Sequence, residues 1–134
     1  MIKKCLEIAE LAHEGQRRKF TDELYVKHSI RMSVRLSNPF HQCVALLHDI
    51  LDDSEFTTED LLGWGVPSKI VDIVEILTRT DETYKEFIIK CSKNTHARKV
   101  KIEDLKDNLR NLHKGSMRDK YELALYLLVT SDHK

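Results

Sequence analysis

Apolar residues recur every three to four positions along most of the chain, which is the period of an α-helix with one buried face. The first such segment runs from Ile2 to Ala12, and Gly15 ends it. Neither the alternation of a strand nor the turn signal of a hairpin interrupts this pattern. The sequence therefore predicts an all-α protein.

Seven more segments show the same period, several with helix-start signals. Asn38 is a candidate N-cap ahead of Pro39, and Thr57 is another, with acids in the turn that follows it. On the second helix, Met32 and Val34 are expected to face inward. The segments predicted as helices after the first are 25–36, 40–51, 57–63, 67–77, 83–90, 95–112 and 117–130.

The length and charge of the chain exclude several classes of protein. The 134 residues suit one domain, predicted over 1–134, and 41% of them are hydrophobic. Lys and Arg total 22, as do Asp and Glu, so the formal net charge is zero. That balance argues against a nucleic-acid partner or a polybasic membrane surface. Three dispersed cysteines and the lack of a membrane-length apolar run predict a cytoplasmic protein with reduced thiols.

His48 and Asp49 end the apolar run 43–47. A helix that is apolar on nearly every side is buried, and burying ionised groups costs several kcal/mol unless something pairs or coordinates them. A divalent cation would do that. The pair is therefore a candidate part of a metal site, but the dipeptide alone does not establish one, and other residues of the chain must support it.

Two further residues, His28 and Asp104, could complete such a site if their helices converge. Two imidazoles and two carboxylates suit a divalent ion such as Mn, Fe or Zn. The alternatives are that His28 is a surface or capping residue and that Asp104 belongs to a solvated charged face over 101–107.

Asp52 and Asp53 lie one helical turn beyond His48 and Asp49. A metal lowers the pKa of bound water, and a carboxylate one turn away could orient that water or take its proton. The alternative is that the two acids simply end the helix in solvent, although acids at a helix C-terminus oppose the macrodipole.

A basic loop, residues 16–19, precedes the His28 helix. Its cations could engage a phosphate or stack on a base. The alternative is an ordinary solvated loop.

Together and in this order, these segments resemble the HD-superfamily metal-dependent phosphohydrolases. More narrowly, they resemble the hydrolase domain of the RelA/SpoT guanosine tetraphosphate (alarmone) enzymes and their small stand-alone relatives. The matching segments are 12–19 (AHEGQRRK), 25–28 (YVKH), 45–53 (ALLHDILDD), 73–79 (IVEILTR) and 100–108 (VKIEDLKDN).

The resemblance implies a single compact HD-like domain of about seven or eight helices that hydrolyses the alarmone 3′-pyrophosphate. The implied ligands of one divalent metal, typically Mn, are His28, His48, Asp49 and Asp104. The implied pair that positions or activates water is Asp52 and Asp53. The implied nucleotide contacts are Arg18 with the base, Lys19 near phosphate and Asn108 near the sugar.

The chain departs from the family pattern at three places. Asp52 stands where the family has Glu, the family's Gly-x-Pro is replaced by 22–24, and Ser29 stands where the family has Pro. Two alternatives stay open: hydrolysis of another nucleotide, such as a nucleoside monophosphate, and a nucleotide-binding sensor without turnover. Because the sequence ends at Lys134, no synthetase domain is expected, and an alarmone enzyme of this kind would only degrade.

Overall fold

The computed structural model describes residues 1–19 and 21–131; residues 20 and 132–134 of the predicted domain lie outside this part. The described residues form helices joined by short loops and contain no strand, only an isolated bridge between Arg17 and Leu24. The all-α prediction is confirmed. The helices are α1 (Ile2–Ala12), α2 (Tyr25–Arg35), α3 (Pro39–Leu47), α4 (Ile50–Asp53), α5 (Thr58–Gly63), α6 (Ser68–Ile76), α7 (Tyr84–Ser92), α8 (Thr95–Leu109) and α9 (Ser116–Thr130).

Helix α3 is the centre of the molecule, since α1, α2, α6 and α8 all contact it. Its residues 43–47 are buried, as the unbroken apolar run predicts. Because helices surround α3 on several sides, the side chains at its C-terminal end also lie inside the protein. In the described residues, no helix has the length and apolar character needed to cross a membrane.

The predicted helix starts at Asn38 and Thr57 are confirmed. The Asn38 side chain accepts a hydrogen bond from the Phe40 backbone N–H at 2.8 Å. Thr57 and Asp60 form a reciprocal capping box at the start of α5. These local contacts satisfy backbone donors that a helix leaves unpaired at its first turn.

The inward orientation predicted for Val34 is wrong. Met32 is fully buried in α2, whereas Val34 is 76% exposed. Residues two apart on a helix point about 200° away from each other, so one buried face cannot contain both. The packing of α3 and α8 against α2 selects the Met32 face.

The predicted helix over 40–51 is interrupted. Helix α3 ends at Leu47, His48 and Asp49 form a turn, and α4 begins at Ile50. Asp49 has φ −107° and ψ 4°, outside the helical region. The turn changes the direction of the chain at the two residues that carry the candidate chemistry.

We expect Leu47→Ala to lower the free energy of unfolding by about 3 kcal/mol, because Leu47 is fully buried in α3 and its truncation leaves a cavity. Urea denaturation measures the change. Leu11→Ala is the matched control, since Leu11 is 60% exposed and should change stability by no more than about 0.5 kcal/mol. Equal effects of the two substitutions would contradict this packing.

Candidate metal centre and adjoining cavity

The four predicted metal ligands come together at the C-terminal end of α3. His28 from α2, His48 from the turn and Asp104 from α8 are buried, and one ligand atom of each lies within 4.8 Å of the others. Asp49 adjoins them, with its Oδ2 2.9 Å from His48 Nε2. The alternative of a solvated Asp104 is excluded, because this residue is only 4% exposed.

The orientation of His48 leaves one ring nitrogen facing carboxylates. Its Nδ1 lies 2.7 Å from the Ala45 carbonyl oxygen, which can only accept, so Nδ1 carries a proton and donates. Its Nε2 faces Asp49 Oδ2 at 2.9 Å and Asp104 Oδ1 at 3.6 Å, without an aligned hydrogen-bond partner in 1–19 and 21–131. Burial lowers the pKa of His48, but the charges of Asp49 and Asp104 outweigh it and hold the pKa well above its usual value.

His28 lies between two carboxylates. Its Nε2 is 2.9 Å from Asp104 Oδ1, and its Nδ1 is 2.7 Å from Asp107 Oδ2. Burial lowers the pKa of His28, and the hydrogen bonds with Asp104 and Asp107 more than reverse that effect, so the pKa is raised.

Asp104 is held ionised by a cation that was not among the predicted site residues. Lys101 Nζ donates to Asp104 Oδ2 at 2.7 Å, and the Asn108 amide donates to Oδ1 at 3.2 Å. Burial raises the pKa of Asp104, but Lys101 and the two imidazoles outweigh it, so the pKa lies well below its usual value.

These residues fit a divalent cation. The donor set is two imidazoles and two carboxylates, and the two carboxylates raise the pKa values of both imidazoles, as they would favour any positive charge placed between them. The hydrogen bonds of His48 Nδ1 with Ala45 and of His28 Nδ1 with Asp107 leave both Nε2 atoms directed at the cluster. Such outer hydrogen bonds are the usual way in which a protein orients metal-ligating imidazoles.

The two acids beyond the cluster differ in position. Asp53 lines the cavity beside the cluster, and its backbone carbonyl accepts a hydrogen bond from the Gln16 amide at 2.8 Å. Partial burial, followed by the charges of Asp49 and Asp52, raises the pKa of Asp53 to about 6. Both acids are exposed at the end of α4, but Asp52 is not among the residues that line this cavity.

A cavity of about 470 Å³ adjoins the cluster. All three predicted nucleotide contacts, Arg18, Lys19 and Asn108, line it, and Tyr25 and Asp53 form the side toward the cluster. The Tyr25 hydroxyl donates a hydrogen bond to Asp49. The basic loop therefore lines a space large enough for part of a nucleotide, and the candidate metal centre lies next to it behind Tyr25, since none of the four candidate ligands is a lining residue.

Both terminal nitrogens of Arg18 are engaged in hydrogen bonds within the protein. Its Nη1 donates to Glu23 at 3.1 Å and to Asp107 at 3.3 Å, and its Nη2 donates to Asn108 at 2.5 Å. With both terminal nitrogens engaged, the planar guanidinium suits stacking on a base better than bidentate binding of phosphate.

The Glu23 charge in the acidic segment before Tyr25 is paired within the protein. Glu23 pairs with Arg31 at 2.5 Å and with Arg18 at 3.1 Å. Hydrogen bonding from Arg31, together with that from Arg18, lowers the pKa of Glu23 to about 2 despite partial burial. Glu23 is thus part of the scaffold that holds Arg18.

Sequence reasoning missed Asp107, which entered only as the last residue of the solvated face considered as an alternative for Asp104. Asp107 is fully buried and bonds to His28. Its spacing of three residues from Asp104 was the available signal, because residues three apart share one face of a helix.

Known proteins with similar sequences include alarmone enzymes. No family model matches the chain. It is 31% identical over 123 residues to the guanosine-3′,5′-bis(diphosphate) 3′-pyrophosphohydrolase MESH1 of Drosophila melanogaster, a match that covers 81% of this chain and 68% of the fly protein. It is 28% identical over 124 residues to the GTP pyrophosphokinase of Streptomyces coelicolor, of whose length the match covers 14%.

A solved structure also resembles the chain. It is that of a metazoan ortholog of SpoT that hydrolyses ppGpp, with a TM-score of 0.78 and 25% sequence identity. The similarity covers 97% of this chain and 84% of that protein. Nearly all of the helical arrangement described above is therefore shared.

We expect Asp53→Asn to raise the melting temperature of the metal-free protein near neutral pH and to leave it unchanged at about pH 4. With its folded-state pKa at about 6, above an unfolded value near 4, Asp53 is easier to ionise in the unfolded chain. The wild type therefore loses stability as the pH rises from about 4 to 6, and the amide avoids this loss. Thermal melts in chelator at the two pH values measure the difference.

Asp72→Asn is the matched control, because Asp72 is an exposed acid on α6. Equal melting temperatures of the Asp53 variant and the wild type at both pH values would contradict the raised pKa of Asp53.

Proposed function

The chain belongs to the HD-type family of guanosine-3′,5′-bis(diphosphate) 3′-pyrophosphohydrolases, and we propose that it hydrolyses the 3′-pyrophosphate of guanosine tetraphosphate (ppGpp). The observation that carries this proposal is the meeting of His28, His48 and Asp104 beside a cavity lined by Arg18. The name of the Streptomyces relative does not extend to this chain, because the match covers 14% of that protein.

The proposed metal site consists of His28, His48, Asp49 and Asp104, with Mn as the favoured ion and Fe or Zn as other fitting ions. A divalent ion there would lower the pKa of water and neutralise charge on phosphate oxygens. The support is the buried donor set and the two carboxylates that face His48 Nε2.

The acids and cations around the cavity have proposed roles of their own. Asp52 and Asp53 position or activate the attacking water, as the family resemblance implies, and Asp53, which lines the cavity, takes its proton. Lys19 binds phosphate, Asn108 contacts the sugar region, and the Arg18 face stacks on guanine. In the balanced reaction, the water oxygen bonds to phosphorus, the bond between that phosphorus and the 3′ oxygen breaks, and the 3′ oxygen leaves with a proton.

The prediction of a cytoplasmic protein stays a prediction, as does the prediction that neither nucleic acid nor a membrane is a partner. The buried, unpaired state of Cys5, Cys43 and Cys91 is compatible with a reducing compartment.

Purified protein loaded with Mn should release pyrophosphate from ppGpp and leave GDP, and chelation of the metal should abolish the release. Pyrophosphate is measured by a coupled assay and nucleotides by chromatography, with GMP and AMP as the comparison substrates. Turnover of a monophosphate in place of ppGpp would overturn the substrate assignment. Nucleotide binding without any turnover would favour the sensor alternative.

Asp49→Ala should lower kcat/KM for ppGpp by about 1,000-fold or more, equivalent to about 4 kcal/mol of transition-state stabilisation. We expect metal content to fall with activity, because Asp49 is a proposed ligand. Metal analysis and initial rates are measured on the same samples. Asp72→Ala is the control on α6, and full metal content with full activity in the Asp49 variant would contradict the proposed site.

A further inference from the structure

One buried carboxylate contacts both halves of the proposed site. Asp107 on α8 is fully buried, and its Oδ2 accepts hydrogen bonds from His28 Nδ1 at 2.7 Å and from Arg18 Nη1 at 3.3 Å. His28 is a proposed metal ligand, whereas Arg18 lines the nucleotide cavity. The same oxygen atom therefore contacts a residue on each side.

Two more arginines fix the position of this carboxylate. Arg31 donates from Nε to Oδ1 at 2.8 Å and from Nη2 to Oδ2 at 2.9 Å, and Arg35 donates to Oδ1 at 3.2 Å. The paired donors of Arg31 match the plane of a carboxylate and favour one orientation of it. The bonds of Asp107 with His28 and Arg18 then link these two side chains through one group.

We propose that Asp107 is a positioning residue that holds His28 and Arg18 from one carboxylate and so couples metal binding to nucleotide binding. This inference rests on the proposed function, since it takes His28 as a metal ligand and Arg18 as a nucleotide contact. The expected Nε2 ligation of His28 follows from the bond of its Nδ1 with Asp107.

The coupling has a physical cause. An ion that orders His28 also orders the Asp107 carboxylate, and the carboxylate in turn orders Arg18 before a base arrives. When metal is bound, nucleotide binding therefore loses less conformational entropy, because Arg18 is already ordered. By linkage, the metal binds more tightly when nucleotide is present.

Asp107→Asn tests the proposal with little change in shape. The amide has no charge, and its NH₂ group would face the donors of His28 or of the arginines. Metal-free protein is titrated with Mn²⁺, and the EPR signal of unbound Mn²⁺ is followed. We expect the Kd for Mn²⁺ to be about 10- to 100-fold higher in the variant than in the wild type.

GDP is the nucleotide probe, and its binding is measured by calorimetry with and without Mn²⁺. Mn²⁺ should tighten GDP binding to the wild type about fivefold or more, and this gain should disappear in the variant.

Two controls separate positioning from a general loss of structure. Glu23→Gln loosens Arg18 and leaves both bonds of Arg31 to Asp107 in place, so it should weaken GDP binding by a larger factor than Mn²⁺ binding. Asp72→Asn removes the charge of an exposed acid on α6 and should change neither affinity by more than about twofold. The free energy of unfolding in urea is measured for all variants. If Asp107 positions a ligand, the changes in Mn²⁺ affinity should not follow the changes in stability from one variant to the next.

A folded Asp107→Asn protein that binds Mn²⁺ as tightly as the wild type would overturn the proposal, even if wild-type hydrolysis of ppGpp stands. Should the variant not fold, NMR of wild-type protein labelled with ¹⁵N-histidine decides. His28 should keep its Nδ1 proton when Zn²⁺ is added, and a metal bond to Nδ1 would overturn the inference. Wild-type protein without hydrolysis but with coupled Mn²⁺ and GDP binding would contradict the proposed function alone.

Discussion

Carboxylates inside a protein need fixed positive charge beside them, and the reactive end of this molecule is arranged around that need. Asp107 meets it with Arg18, Arg31 and His28, all within hydrogen-bonding distance. Asp104 meets it only in part with Lys101, because its other oxygen faces an imidazole nitrogen. The charge of Asp107 is therefore neutralised by side chains of the protein. Asp104 has less positive charge beside it, and a divalent cation would supply the rest.

The interruption of the central helix makes this arrangement accessible to a ligand. If α3 continued straight through His48, the acids that follow would lie along a buried helix. The turn at His48 and Asp49 instead places His48 against α2 and α8 and brings Asp53 to the cavity. The same turn therefore lets the candidate ligand His48 be buried while the candidate base Asp53 stays exposed at the cavity.

Local chemistry allowed the sequence to predict the helices, since Asn38 and Thr57 cap helices through contacts within three residues. The interruption at His48 could not be predicted, because the apolar positions continue at Ile50 on the far side of it. The burial of Asp107 was missed for a related reason. Its partner His28 is 79 residues away, and only tertiary packing shows that α8 turns this face inward. The convergence of the four candidate ligands came from resemblance to a family, not from periodicity.

The central claim is that the cluster at the end of α3 binds one divalent cation through both imidazoles and both carboxylates. Anomalous diffraction at the manganese edge, on crystals grown with Mn²⁺, tests it most directly. We expect one strong peak at bonding distance from His28 Nε2, His48 Nε2, Asp49 and Asp104. A cluster without a peak, with His28 Nε2 still hydrogen-bonded to Asp104 as it is without metal, would contradict this metal site.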